Sequence, residues 1–304
     1  MRRSLTIAAA LLALYTIWGS TYLGITFSLG DGFESFQLTT TRFVTAGLVL
    51  LLVARLRGIP FGTPRQWRNA AIVGALLIVG GNGLTTLALE LGAPSGLSAT
   101  VIATTPLWAG VWSTAFGRRL TRPEWIGIAI GVVGVAVLTL DGRFRTHPAI
   151  FLQFVAPILW ALGSIWGPRA GLPHGVVAAG VQMIAGGLLA LPISLAIGET
   201  WSWPGAFAWG VWSYLVVFGS LVGYSAYVFL LGAVSPSLAT SYAFVNPIVA
   251  LALGVWLADE TLDARTFVAL PLIFAGVAVI GAAQRRAARR APVVPEDAAP
   301  QRAA

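Results

Sequence analysis

Along the chain, stretches of about 20 apolar residues alternate with short polar punctuation. Pro, Gly, Asp and Arg collect there, as at Gly58-Ile59-Pro60 and Asp141-Gly142-Arg143. A hydrocarbon layer about 30 Å thick calls for roughly 20 helical residues per crossing. The pattern places spans at about 5–27, 36–56, 70–89, 95–116, 124–140, 148–166, 175–197, 205–230, 236–257 and 265–283. Backbone polar groups find no water inside a bilayer, so these spans are expected to be helices. Such long unbroken runs do not fit the alternating strands of a membrane barrel.

The same pattern occurs twice. Gly92-Ala93-Pro94-Ser95-Gly96-Leu97-Ser98-Ala99-Thr100 is answered by Gly232-Ala233-Val234-Ser235-Pro236-Ser237-Leu238-Ala239-Thr240. Thr105-Pro106-Leu107 returns as Asn246-Pro247-Ile248, and Gly134-Val135-Ala136-Val137-Leu138 as Gly276-Val277-Ala278-Val279-Ile280. Matching residues lie 140 to 142 positions apart. The expected organisation is a first repeat over 1–142, a second over 143–284 and a disordered cytoplasmic tail over 285–304. Five spans per repeat is an odd number, so the second copy enters the membrane from the opposite side. The fold class expected is an all-α polytopic membrane protein, ten transmembrane helices arranged as two inverted five-helix repeats. Inverted repeats can exchange shapes and so open to either side in turn, the usual architecture of a transporter.

Composition agrees with a membrane setting: 57% of residues are hydrophobic and only 10% charged, against about 25% charged in soluble domains. Mean hydropathy is +0.82. The net charge of +8 taken alone could suggest nucleic acid, but its distribution excludes that reading. Sorted by loop, one side holds fifteen arginines against three acids and the other three arginines against eight acids, with Arg42 inside the membrane. That asymmetry puts both termini in the cytoplasm and makes the span count even. The tail is rich in Arg, then Pro and Ala, and its arginines are expected to rest on anionic inner-leaflet lipid.

Cysteine is absent, and the two histidines, His147 and His174, fall in separate loops, so no thiolate or histidine metal site is legible. No catalytic residue, metal or cofactor is expected. Arg42 is the costliest intramembrane residue and should face protein or water; it either draws a substrate carboxylate or acts as a structural clamp. Its counterpart in the second copy is Gln182. Asn82, in Gly80-Gly81-Asn82-Gly83, marks a hinge or cavity wall, or close helix packing. Pro106 and Pro247 sit in mid-span at repeat positions and should kink the fourth and ninth helices. Tyr15, Trp18 and Tyr22 share one helical face, a stripe suited to a pocket or to the core. No acid falls at mid-membrane, and Glu90, near the end of the third span, is a possible shallow proton site. Gly127, Gly131 and Gly134 form a small-residue face for packing within one chain or for a dimer, so the chain is expected to be a monomer or homodimer.

Taken in order, Trp18-Gly19-Ser20, Arg42-Phe43, Gly81-Asn82-Gly83, the Gly92-to-Pro106 stretch, Trp160-Ala161-Leu162-Gly163 and the Gly232-to-Pro247 stretch resemble the EamA family. This family of ten-helix carriers belongs to the drug/metabolite transporter superfamily, and Gly81-Asn82-Gly83 followed by Pro94-Ser95-Gly96 and Pro106-Leu107 looks like its YedA-like inner-membrane branch. The resemblance covers about 5–283. It implies a substrate route between the halves that involves Tyr15, Trp18, Asn82, Thr105, Trp160, Tyr224, Tyr227, Tyr242 and Asn246. It further implies a bacterial inner-membrane protein whose partners are a small-molecule solute and the lipid bilayer. The solute would be a metabolite, amino acid or drug-like compound, exported by alternating access, with import or bidirectional facilitation as the alternative. The family commonly has an acid after the fourth and ninth spans; here the first position is Arg119, while the second keeps Glu260.

Overall fold

The computed structural model describes residues 2–139, 148–234, 239, 242–261 and 264–290. Every regular element among them is helical. The helices are α1 (Ser4–Gly30), α2 (Ser35–Leu56), α3 (Pro64–Glu90), α4 in two pieces (Ser95–Ile102 and Thr105–Ala115) and α5 (Arg122–Thr139). They continue as α6 (Phe151–Arg169), α7 (Gly175–Ile197), α8 (Ala206–Ala233), α9 (Tyr242–Leu257) and α10 (Ala264–Arg290). Seven of these, α1, α2, α3, α6, α7, α8 and α10, are long and apolar enough to cross a membrane.

The remaining three are α4, α5 and α9. The chain leaves the helix at Ala103 and Thr104, immediately before Pro106, so α4 is two short pieces. Helix α9 has 16 described residues and runs through Pro247 without a break. Helix α5 has 18 residues and opens on Arg122 and Glu124. At the other end of the chain α10 continues to Arg290, so Arg285 to Arg290 extend the helix where a disordered tail was expected. Alanine, glutamine and arginine are strong helix formers. Residues 291–304 lie outside the described residues, as do Asp141, Arg143, Arg145, His147 and Asp263.

Helix packing obeys the duplication. Helix α2 packs on α7, α4 on α9, and α5 on α10, each an exchange of equivalent positions; α1 touches α8 and α9, just as α6 touches α3 and α4. Glycines set the closest crossings. A Cβ on Gly47 would stand 2.7 Å from the carbonyl of Gly180, and one on Gly127 would stand 2.6 Å from that of Gly276. The glycine face of α5 is therefore spent on α10 of the same chain.

Charges segregate onto two faces. On one, carboxylates from one half cap helix starts in the other. Glu199 accepts from the Phe36 and Gln37 N–H groups, both at 2.8 Å, at the start of α2. Asp31 accepts from the Ala208 N–H (2.8 Å) at the start of α8, and Glu260 from the Ser95 N–H (2.7 Å) at the start of α4. A helix N-terminus carries unpaired N–H groups and a partial positive charge, so these are favourable sites for an acid. The opposite face has arginine-rich loops tied by neutral contacts, such as Asn69 Nδ2 to the Ala170 carbonyl at 2.6 Å. Glu90 belongs to the capping set: it is exposed and accepts from the Ser35 N–H at 3.2 Å.

Candidate functional site

A partly open cavity lies between the halves. Its wall comes from α1 (Trp18, Thr21, Tyr22, Ile25), α2 (Arg42, Phe43), α3 (Gly81, Asn82, Thr85), α4 (Ile102), α6 (Trp160), α8 (Gly219, Tyr224) and α9 (Tyr242). The space between its wall atoms totals about 580 Å³ with open solvent at the mouth included, and about 60 Å³ of it is interior.

Aromatic rings from both halves close it. Trp18 stands edge-on to Trp160 (5.6 Å between centroids) and Tyr242 (5.1 Å), and Tyr227 packs against Trp18 (5.2 Å) and Trp160 (5.5 Å). The polar atoms of this layer are largely bonded within the fold. Trp18 Nε1 donates to the Gly219 carbonyl (3.0 Å), and the Tyr227 and Ser164 hydroxyls share a bond of 2.6 Å.

Local backbone choices make room for these rings. Helices α1, α3 and α8 each contain a π-helical stretch, at Leu14–Trp18, Ala75–Gly83 and Leu215–Tyr224. Such stretches concentrate at functional sites, because the wider turn re-aims side chains and loosens the ladder. Those in α3 and α8 occupy equivalent repeat positions, and each carries glycines under an indole from the other half. A Cβ on Gly81 would come within 2.4 Å of the Trp160 ring, and one on Gly223 within 2.4 Å of the Trp18 ring.

A second, apolar cavity answers the first on the arginine-rich side. Thr21, Ile25 and Arg42 of the first correspond to Gly163, Gly167 and Gln182 of the second, whose wall also includes Leu77, Leu172 and Leu231. Tyr224 stands between them: its ring lines the first, and its hydroxyl donates to Gln182 Oε1 (2.7 Å) in the wall of the second.

Arg42 is 4% exposed, so it does not snorkel out of the membrane region. Its Nε donates to Ser220 Oγ (2.8 Å), and its guanidinium lies over the Phe43 ring at 4.7 Å. No carboxylate pairs with it among the described residues, where the single ion pair is Arg118 with Glu124. A charge at the bilayer centre costs about 2.5–3.5 kcal/mol, less nearer an interface. The serine bond, the ring contact and the cavity offset that cost here.

Of the residues expected on a substrate route, Trp18, Asn82, Trp160, Tyr224 and Tyr242 line the cavity; Tyr15, Thr105, Tyr227 and Asn246 do not. Tyr15 packs into the core near Trp18. The π-helical turn between them breaks the 3.6-residue period on which the Tyr15–Trp18–Tyr22 stripe rests, while Trp18 and Tyr22 remain in the wall. Thr105 serves the carbonyl that its neighbouring proline leaves free, and Asn246 ties α9 to α1. Pro106 has no N–H for the Ile102 carbonyl, and Thr105 Oγ1 donates to that oxygen at 2.6 Å. The Asn246 amide is flanked by two carbonyls, so its nitrogen must face them; it then donates to Leu14 O (3.1 Å) and Tyr242 O (3.2 Å). Thr21, Ile25, Phe43, Ile102 and Gly219 also line the cavity and were not singled out as wall residues in the sequence.

A model of the EamA-like transporter family matches residues 5–140 and, a second time, 147–282. The chain belongs to the EamA-like transporter family. Within it the chain falls in the YedA-like branch: the inner membrane transporter YedA of Escherichia coli K12 is 39% identical over 281 residues, covering 92% of each chain. A Salmonella typhimurium protein described as a "probable amino-acid metabolite efflux pump" is 28% identical over 264 residues, covering 79% of this chain and 88% of its own. A solved crystal structure matches with a TM-score of 0.68 at 21% identity, over 92% of this chain and 98% of the other, which establishes likeness of fold. EamA-like proteins are transporters rather than enzymes, and no cluster of three or more His, Asp or Glu suited to a metal occurs among the described residues. One departure from the family gains a physical meaning. Glu260 caps α4, whereas its repeat counterpart Arg119 is exposed; Ser235, which answers Ser95, lies outside the described residues.

Proposed function

We propose that this protein carries a small organic solute across the bacterial inner membrane by alternating access, and that it acts as an exporter. The observation that supports this best is the pair of repeat-related cavities on either side of one aromatic layer built from both halves. Exchanging the shapes of the halves would open one cavity as it closes the other. In this reading all ten helices α1 to α10 span the membrane, and both termini and the arginine-rich face are cytoplasmic. The positive-inside rule and the efflux description of the Salmonella relative favour that orientation and direction. Trp18, Asn82, Trp160, Tyr224 and Tyr242 line the substrate route, and Tyr227 and Asn246 support it from behind.

Reconstitution into liposomes tests the proposal. Counterflow of a labelled metabolite panel should saturate with concentration and be lost in Trp18→Ala. Flux that rises linearly without saturating would indicate a channel and overturn the carrier reading. Greater flux from the arginine-rich face than toward it is expected for an exporter; the opposite preference would make it an importer.

A further inference from the structure

We infer that the cavity selects an organic monoanion, a carboxylate joined to an apolar or aromatic body, with Arg42 as the partner of the carboxylate. The inference rests on the carrier reading above and names the substrate class of that same cavity.

Among the described residues Arg42 is the sole charged one in the cavity wall, and no Asp or Glu shares that wall. It is almost wholly buried, yet among the described residues only its Nε has a hydrogen-bond partner, the neutral Ser220 hydroxyl. The guanidinium is held in a fixed plane. Phe43 lies against one side, and Gly219 lets it approach α8 so closely that a Cβ there would stand 2.7 Å from Nη2. With Nε committed to Ser220, the Nη1–Nη2 fork is the edge left for a ligand, and that fork matches the two oxygens of a carboxylate. Beyond it the wall turns aromatic and aliphatic through Trp18, Trp160, Ile25 and Ile102. Thr21 and Thr85 already donate their hydroxyl protons to carbonyls of their own helices.

The same inventory rejects other charge classes. A cationic amine would meet the guanidinium with no carboxylate to offset it. A zwitterion would satisfy Arg42 but leave its ammonium group without an anionic partner. The repeat-related cavity carries neutral Gln182 where this one carries Arg42, so the anion site exists in one cavity alone.

Four probes of one shape decide the matter: phenylacetate, phenylacetamide, phenethylamine and phenylalanine, each titrated against the purified full-length protein in nanodiscs. Binding is read by calorimetry and by the rise in melting temperature that a native-state ligand produces. Phenylacetate should bind, with the amide, amine and zwitterion weaker by about tenfold or more, the factor carried by one charge-assisted pair. Arg42→Gln should remove the advantage of phenylacetate over phenylacetamide, and Arg42→Lys should restore part of it. Absence of phenylacetate binding, equal binding of phenethylamine, or an undiminished phenylacetate advantage in Arg42→Gln would overturn the inference. Should Arg42→Gln fail to fold, the comparison of the four probes on the unaltered protein decides alone. Saturable flux of a cationic or zwitterionic solute would refute the substrate class and leave the carrier reading standing. An anion site without saturable flux of any solute would do the reverse.

Discussion

Replacing Glu199 with Gln should loosen the contact between the halves at one identifiable place. The carboxylate collects four donors: Ser35 Oγ (3.0 Å), the Phe36 N–H (2.8 Å), the Gln37 N–H (2.8 Å) and Ser194 Oγ (2.6 Å). It thereby joins the end of α7 to the start of α2, and these helices cross at Gly47 and Gly180. Glutamine keeps one acceptor oxygen and turns an NH2 group toward donors, so at least one buried N–H loses its partner, at about 1–3 kcal/mol. Loss of the negative charge at the helix start adds about 0.3–1 kcal/mol. A total near 2 kcal/mol corresponds to roughly 30-fold faster local opening, at about 1.4 kcal/mol per factor of ten. Hydrogen exchange by mass spectrometry should show that acceleration in peptides covering Phe36 and Gln37. Glu90→Gln provides the scale, since Glu90 is exposed and its bond to the Ser35 N–H is longer, at 3.2 Å; it should change exchange by less than about fivefold. Equal effects from the two variants, or no acceleration in Glu199→Gln, would refute the account of Glu199 as an inter-half cap.

Two further outcomes are expected. Gly127→Ala would place a Cβ 2.6 Å from the Gly276 carbonyl and should lower thermal stability by about 1–3 kcal/mol, whereas Gly210→Ala, with open space around it, should not lower it; melting temperatures in one detergent compare them. Trp18→Ala should lower transport more than folded yield, because Trp18 faces the cavity, whereas Asn246→Ala should lower both, because Asn246 ties α9 to α1; flux per folded molecule, with yield from size-exclusion chromatography, separates them.

Much of the architecture was legible in the sequence. Apolar runs of bilayer length located the helices, and the offset of 140 to 142 residues marked the equivalent helices of the two halves. The site was legible only in part. Trp18 stood out on the aromatic stripe of the first span and, with Trp160, through the family resemblance, and both reach the cavity. Thr105 and Asn246 stood out because each precedes a proline at a repeat position, yet Thr105 serves the carbonyl freed by Pro106 while Asn246 ties α9 to α1. A carbonyl deprived of its N–H needs another donor wherever the kink lies, whether or not a cavity is near.

Taken alone, the sequence determined the membrane setting, the duplication and the segregation of charge. Each follows from the order of apolar and charged residues along the chain, and hydrocarbon enforces that order without regard to partners. Tertiary structure alone decided which face of each helix meets the cavity. Three π-helical stretches shift the helical period, and glycines such as Gly81, Gly219 and Gly223 act through side chains far away in the sequence. It also decided the state of Arg42. Its lack of a carboxylate partner is a property of everything packed around it, and no local pattern records that.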